Sequence, residues 1–202
     1  MDIHKNPEAV YEHTSKGNMV GVVSDGTRVL GLGDIGPEAS LPVMEGKAIL
    51  FKYLGGVDAF PICLDTKDPD VFIQTVKLLQ PTFGGFNLED IAKPKCFRIL
   101  DTLRAECHIP VWHDDQQGTA AVTLAGLLNA LKIVGKDIGK VRVVLNGAGA
   151  ANIAIARLLL AAGVDGDKII LIDRQGGIAR NRAGLEQSEP VKYEMASKTN
   201  PH

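Results

Sequence analysis

Apolar stretches of two kinds alternate along the chain. MVGVVS (19–24), AFPICL (59–64), FGGFNL (83–88), IPVWH (109–113), VRVVLN (141–146) and KIILID (168–173) are short and β-branched or aromatic. Each is bounded by Gly, Pro, Asp or Asn, a pattern that predicts buried strands. Between them, helical patterns cover roughly 41–54, 69–80, 94–106, 118–133 and 150–162. Strands alternating with helices imply an α/β architecture with mostly parallel sheets. The polar, glycine-spaced KIVGKDIGKVR marks a candidate boundary, with a first domain over 1–133 and a second over 134–202. The final stretch, RQGGIARNRAGLEQSEPVKYEMASKTNPH, is polar and weakly periodic and reads as surface or as a cut end.

Composition narrows the function classes. With 45% hydrophobic and 23% charged residues the chain has the make-up of a globular protein. A formal charge of −2 provides no basic footprint, so nucleic acid is not an expected partner. Cys63, Cys96 and Cys107 lack C-x-x-C spacing and read as reduced thiols, with no zinc site in prospect. MDIHKNPEAVYEH at the start is too polar for a secretory signal, and no apolar run approaches the roughly 20 residues of a membrane span. A cytoplasmic protein without a membrane partner is the expectation.

Two glycine clusters compete for the role of a phosphate-binding loop. The earlier one, VLGLGDIG, is a complete G-x-G-x-x-G at Gly31, Gly33 and Gly36. Only VL precedes it, and Pro37 and Pro42 interrupt what should be the following helix. It reads as a tight loop lining a ligand cleft or as a plain turn. The later cluster, NGAGAAN, follows one predicted strand and opens a helix that leads to a second strand closing on Asp173. That is the Rossmann context, in which the glycines admit a pyrophosphate and a strand-end acid takes the ribose hydroxyls. Asp173 leans towards NAD, while the adjacent Arg174 is able to accept the 2′-phosphate of NADP. Asn152 stands where the third glycine belongs, and a side chain there should crowd the helix–strand contact.

Candidate chemistry lies elsewhere as well. Lys47 sits one helical turn from Val43, Met44, Leu50 and Phe51, all apolar. Desolvation there would suit it to act as a base, unless it snorkels to solvent. Glu89–Asp90 and Asp114–Asp115 each follow a predicted strand, the edge where ligands collect in parallel α/β sheets. Two such pairs offer oxygen ligands to a hard cation, provided the backbone turns so that adjacent side chains converge. The alternatives are an N-cap for Asp114 or Asp115 and a solvated turn for Glu89–Asp90.

SDGTRVLGLGDIGPEASLPVMEGKAILFK, DAFPICLDT, FGGFNLEDIAKPKCF, IPVWHDDQQGTAAVTLAGLLNALK and NGAGAA together closely resemble malic enzymes of the shorter prokaryotic type. The resemblance runs from about residue 10 to 180. It implies a substrate- and metal-binding domain followed by the start of a Rossmann domain. The activity implied is oxidative decarboxylation of L-malate to pyruvate and CO₂, with NAD or NADP and Mg²⁺ or Mn²⁺, in a homodimer. By the same resemblance Lys47 is the general base and, with Arg28, binds substrate; Glu89, Asp90 and Asp115 hold the metal. Gly147, Ala148, Gly149, Ala150 and Ala151 form the dinucleotide loop, and Thr119 and Asp173 complete the cofactor-binding set. The family's general-acid tyrosine lies upstream of the region where this chain begins, so the role is not transferred to Tyr11. The family also continues well past residue 202, and the chain reads as a fragment. Two alternatives stand beside this reading: a malolactic enzyme, and an inactive piece that binds metal or substrate and pairs with another chain.

Overall fold

The computed structural model describes residues 1–200. It divides into two compact units, the first ending at His113 and the second beginning at Asp114. This division falls ahead of the expected boundary at 133–134. The helix over 119–134 packs on the helix that follows the later glycine cluster, so it travels with the second unit.

After two short helices, α1 (Asp2–Lys5) and α2 (Val10–His13), the first unit is built on four parallel strands. They are β1 (Met19–Ser24), β2 (Asp58–Cys63), β3 (Gly85–Leu88) and β4 (Val111–His113), in the order β2-β1-β3-β4. Parallel neighbours require crossovers, supplied by α3 (Gly36–Gly55), α4 (Pro69–Leu79) and α5 (Lys95–Glu106). The sheet centre is the best covered part: Val22, Val23 and Leu88 are fully buried, and all four residues of β3 are buried. Helix α4 starts where Asp68 accepts hydrogen bonds from the amides of Asp70 and Val71, with Pro69 in the first turn. Its Phe72, Ile73 and Val76 and the Ile99, Leu100 and Leu103 of α5 fill the adjoining core. Lys16 buries its amine against the carbonyls of Gln80, Pro81 and Phe83, just past the carboxyl end of α4. Desolvation there lowers its pKa.

The prolines do not break α3. Pro37 occupies its first turn, where no amide donor is needed, and Pro42 lies inside the helix. Ser40 donates to the carbonyl of Pro37 at 2.8 Å, satisfying one carbonyl of that first turn.

In the second unit, β5 (Val143–Asn146) runs parallel to β6 (Ile169–Asp173), and β7 (Gly176–Gly177) returns antiparallel to β6. Leu145, Ile169 and Leu171 point inward while Val144 and Ile170 are exposed, so these strands are half-buried rather than fully buried as expected. α6 (Thr119–Val134) packs on α7 (Ala150–Ala161). With the π-type turn Asp114–Gly118, α6 makes 21 helical residues that contain an 18-residue window of mean hydropathy 1.2, long and apolar enough for a membrane span by length and composition. The polar residues of that turn hid this length from a count of consecutive apolar positions. The polar tail is also ordered, into α8 (Leu185–Ser188) and α9 (Pro190–Lys198). Its periodicity was masked because Lys192 lies on the buried face beside Met195 and Ala196, its charge matched by Asp173 and Glu189.

Leu103 loses all exposure on folding. Leu103→Ala is expected to destabilise the first unit by about 2–5 kcal/mol, read from urea unfolding; a loss under about 1 kcal/mol would show the α4–α5 layer to be peripheral.

Candidate active site

The parallel sheet brings the carboxyl ends of its strands to one edge. Ser24 pairs with Cys63, Val23 with Leu88, and Leu88 with His113. The chain leaves β1 into Asp25–Gly26–Thr27–Arg28, leaves β3 into Glu89–Asp90, and leaves β4 into Asp114–Asp115. The two predicted acidic pairs therefore emerge from neighbouring strands.

Glu89 continues the sheet, its amide donating to the carbonyl of Val23 at 2.9 Å. Its side chain, buried, accepts from Asn87 Nδ2 at 2.8 Å. Asp90 then takes φ +56°, the left-handed region that few residues other than glycine adopt. This is the turn that convergence of adjacent carboxylates requires. Both residues are buried, and each offers a carboxylate oxygen within 4.8 Å of the other's.

Lys47 reaches this pair from α3: its Nζ lies 3.2 Å from Glu89 Oε2, with 22% of the side chain exposed. The apolar surroundings expected from sequence form on one side only. Met44 is buried and Val43 and Phe51 are half-buried, but Leu50 is exposed. A carboxylate, more than a hydrophobic wall, defines the position of this amine. Arg28 donates its amide to the carbonyl of Asp90 at 3.0 Å and keeps its guanidinium exposed, with one contact to the Leu30 carbonyl at 3.0 Å.

The first glycine cluster is a tight loop at this same edge. Val29 pairs with Gly33, and the amides of Ile35 and Gly36 both donate to the carbonyl of Gly26. Gly26 has φ +65°, and a Cβ there would meet the Gly36 oxygen at 2.1 Å, so only glycine fits. No strand leads directly into the loop, since β1 ends at Ser24, and two of its amides are already committed to Gly26.

In the second unit, Asp114 and Asp115 open the π-type turn, which packs against α7. The carboxylate of Asp114 lies over Gly118, where a Cβ would meet Oδ1 at 2.0 Å; Asp114 thus faces the start of α6 and Asp115 is half-buried beside it. Thr119 is the exposed first residue of α6.

The later glycine cluster has the strand–turn–helix form. Gly147 has φ +108° and donates to the Ile172 carbonyl at 2.8 Å; Ala148 is buried, Gly149 is extended, and Ala150 and Ala151 begin α7. Asn152 does not crowd the contact. Its Nδ2 donates to the carbonyls of Asn146 and Gly147 at 3.1 and 2.9 Å, strapping the helix to the strand end by hydrogen bonds.

Asp173 closes β6 with its oxygens already engaged. Oδ2 meets Arg182 Nη1 at 2.7 Å and Lys192 Nζ at 2.9 Å, and Oδ1 accepts from the Gln175 amide at 2.9 Å. Burial alone would raise its pKa, but the donors from Arg182 and Lys192 outweigh it and hold the carboxyl well below the usual carboxylate range. A ribose hydroxyl approaching Asp173 meets a carboxylate flanked by two cations.

The malic enzyme N-terminal domain family matches residues 2–104, and the malic enzyme NAD-binding domain family matches residues 116–201. The chain belongs to the malic enzyme family. It is 59% identical over 200 residues to the bifunctional malic/malolactic enzyme of Bacillus subtilis, covering 98% of this chain and 48% of that protein. It is 52% identical over 182 residues to the NADP-dependent malic enzyme of Salmonella typhimurium, covering 90% of this chain and 24% of that protein. Among solved structures, the malic enzyme of Pyrococcus horikoshii matches with a TM-score of 0.93 and 56% identity, over 98% of this chain and 47% of that one. The chain spans about half the length of the Bacillus relative.

Sequence reasoning about this malic enzyme chain missed several residues around the site. Asp25, Thr27 and Lys95 lie behind the carboxylate turn, and Arg182 and Lys192 neutralise Asp173. The only advance signal was SDGT, whose Asp–x–Thr spacing suits a side chain that bonds its own backbone two residues on.

Because the folded-state pKa of Asp173 is depressed, its contribution to stability is full above the ordinary carboxylate pKa of about 4 and drains away as pH falls below it. In urea unfolding at a series of pH values, Asp173→Asn is expected to be less stable at pH 7 and to show a shallower loss from pH 4 downward. Equal slopes would remove Asp173 from the acid response.

Proposed function

We propose that the complete protein to which this chain belongs oxidatively decarboxylates L-malate to pyruvate and CO₂ using NAD or NADP and a divalent cation. The observation that carries this reading is the Lys47 amine held 3.2 Å from Glu89, beside an Asp90 whose left-handed turn brings a second carboxylate alongside.

The donor set fits a hard cation: buried carboxylates, with no sulfur or imidazole required. Glu89 and Asp90 would supply two ligands and Asp115 the third. Support for Asp115 comes from register, since Leu88 and His113 are paired and the chain emerges from them as Glu89–Asp90 and Asp114–Asp115. Asp114, turned towards Gly118, is assigned to the α6 terminus.

When bound, the cation supplies Lewis acidity at the C2 oxygen of malate and the nicotinamide accepts the hydride. The chain's own residues do the rest. Arg28, exposed at the cleft loop, holds a malate carboxylate. Lys47, whose amine is held 3.2 Å from Glu89, would take the C2 hydroxyl proton. Gly147 to Ala151 present backbone amides to the pyrophosphate at the start of α7, and Thr119, the first residue of α6, completes the set. Asp173 sits between Arg182 and Lys192, a mixed-charge setting that leaves NAD and NADP both compatible with the strand end.

A second reading, conversion of malate to lactate without net cofactor reduction, is favoured by the similarity to the bifunctional malic/malolactic enzyme of Bacillus subtilis. Absorbance at the NADH wavelength together with lactate assay of the products separates the two. The homodimer is proposed on the apolar face of α3, where Ile49, Leu50, Tyr53 and Leu54 are exposed; sedimentation of the complete protein as a monomer would remove it.

In the complete protein Lys47→Ala is expected to lower kcat by about 10²- to 10⁴-fold while Mn²⁺ binding by calorimetry persists. Retained turnover would end the base assignment. Asp115→Ala is expected to weaken Mn²⁺ binding and turnover together, and unchanged Mn²⁺ affinity would remove Asp115 from the ligand set.

A further inference from the structure

Behind the carboxylate turn lies a buried polar brace that the proposed chemistry does not use. Asp25 is almost wholly inaccessible. Its Oδ1 accepts from the Thr27 amide at 3.1 Å and from the Thr27 hydroxyl at 2.6 Å, and its Oδ2 meets Lys95 Nζ at 2.6 Å. The Thr27 hydroxyl gives its proton to Asp25, so its oxygen is left to accept, and it does so from the Ala92 amide at 2.9 Å. One residue on, the Arg28 amide donates to the Asp90 carbonyl at 3.0 Å. Lys95, at the start of α5, also reaches the Lys67 carbonyl at 3.2 Å.

These bonds fasten residues 27–28 to residues 90–92 on both sides of Ile91, itself buried. Asp90, the first of the fastened residues, is the one with a left-handed backbone. An acidic residue tolerates that conformation but does not prefer it, and such conformations persist where the surroundings over-determine them. The brace supplies that determination. Asp25 fixes the Thr27 rotamer, Thr27 holds the amide two residues past Asp90, and Lys95 neutralises the buried Asp25 charge that makes the arrangement possible.

We infer that Asp25, Thr27 and Lys95 are positioning residues that set cation affinity and substrate placement by holding Asp90 turned beside Glu89 and Arg28 at the cleft. This rests on the reading of Glu89 and Asp90 as cation ligands. A threonine hydroxyl that must donate and accept at once cannot be replaced by an apolar isostere without losing both bonds, whereas serine can make them again.

The test is Mn²⁺ titration of the complete protein, followed by the electron paramagnetic resonance of free Mn²⁺, on wild type, Thr27→Val, Thr27→Ser, Lys95→Met and Glu89→Gln. Thr27→Val is expected to weaken Mn²⁺ binding by about 10- to 100-fold, the range for groups that orient ligands, and Thr27→Ser to restore most of it. Lys95→Met gives the same loss by an independent route should Thr27→Val fail to fold. A purely structural role would lower the melting temperature and leave Mn²⁺ affinity untouched, and that result in a folded Thr27→Val or Lys95→Met overturns the positioning role. Wild-type Mn²⁺ affinity in Glu89→Gln overturns instead the ligand reading beneath it.

Discussion

Burial of adjacent carboxylates at the end of a central strand is the constraint on which the rest of this site depends. Ionised acids taken out of water cost several kcal/mol each unless charge and hydrogen bonds compensate them. At the end of β3 the compensation reaches Glu89 from two directions. Asn87 donates to it from the strand itself and Lys47 approaches it from α3, while the loop after β1 is tied to the backbone carbonyl of Asp90 by the Arg28 amide. The first crossover helix and the first loop are thereby tied to the third strand, far apart in sequence. A fold that is ordinary in its core becomes specific at this edge.

The same logic explains why the glycine-rich segment after β1 imitates a dinucleotide loop without having its surroundings. Gly26 is needed because its backbone is left-handed and its Cβ position is filled by the Gly36 carbonyl. The amides of Ile35 and Gly36 close back on Gly26 and leave the loop compact as α3 begins. In the second unit the glycines serve the other purpose, following β5 and opening α7. There Asn152 departs from the fingerprint, and its amide supplies by hydrogen bonding the helix-to-strand contact that a third glycine supplies by close packing.

Much of this was legible in the residues, and the exceptions share a physical cause. Strands β1 to β6 and the long helices α3 to α7 follow from hydrophobic spacing, which burial enforces directly. Lys47 and the strand-end acids were visible as types in position, but their approach to one another depends on the φ of Asp90 and on the β1–β3 pairing, neither of which is encoded locally. Asp25 and Lys95 are 70 residues apart in the chain and meet only in the folded sheet edge. Helix α9 escaped notice because a charged residue, Lys192, occupies its buried face, an arrangement that Asp173 and Glu189 make tolerable. Pro37 and Pro42 argued against a helix starting directly after the glycine loop, yet α3 begins at Gly36 rather than near 41, since it packs along β2 and tertiary burial outweighs one missing amide donor.

The claim at the centre is that this edge of the sheet holds a divalent cation between carboxylates rather than merely an ion pair with lysine. Anomalous X-ray diffraction from crystals of the complete protein grown with Mn²⁺ decides it. The account predicts a manganese peak bonded to oxygens of Glu89, Asp90 and Asp115, with the Lys47 amine close by but uncoordinated. A peak elsewhere, or an undisturbed Lys47–Glu89 pair with no manganese beside it at saturating metal, would contradict it.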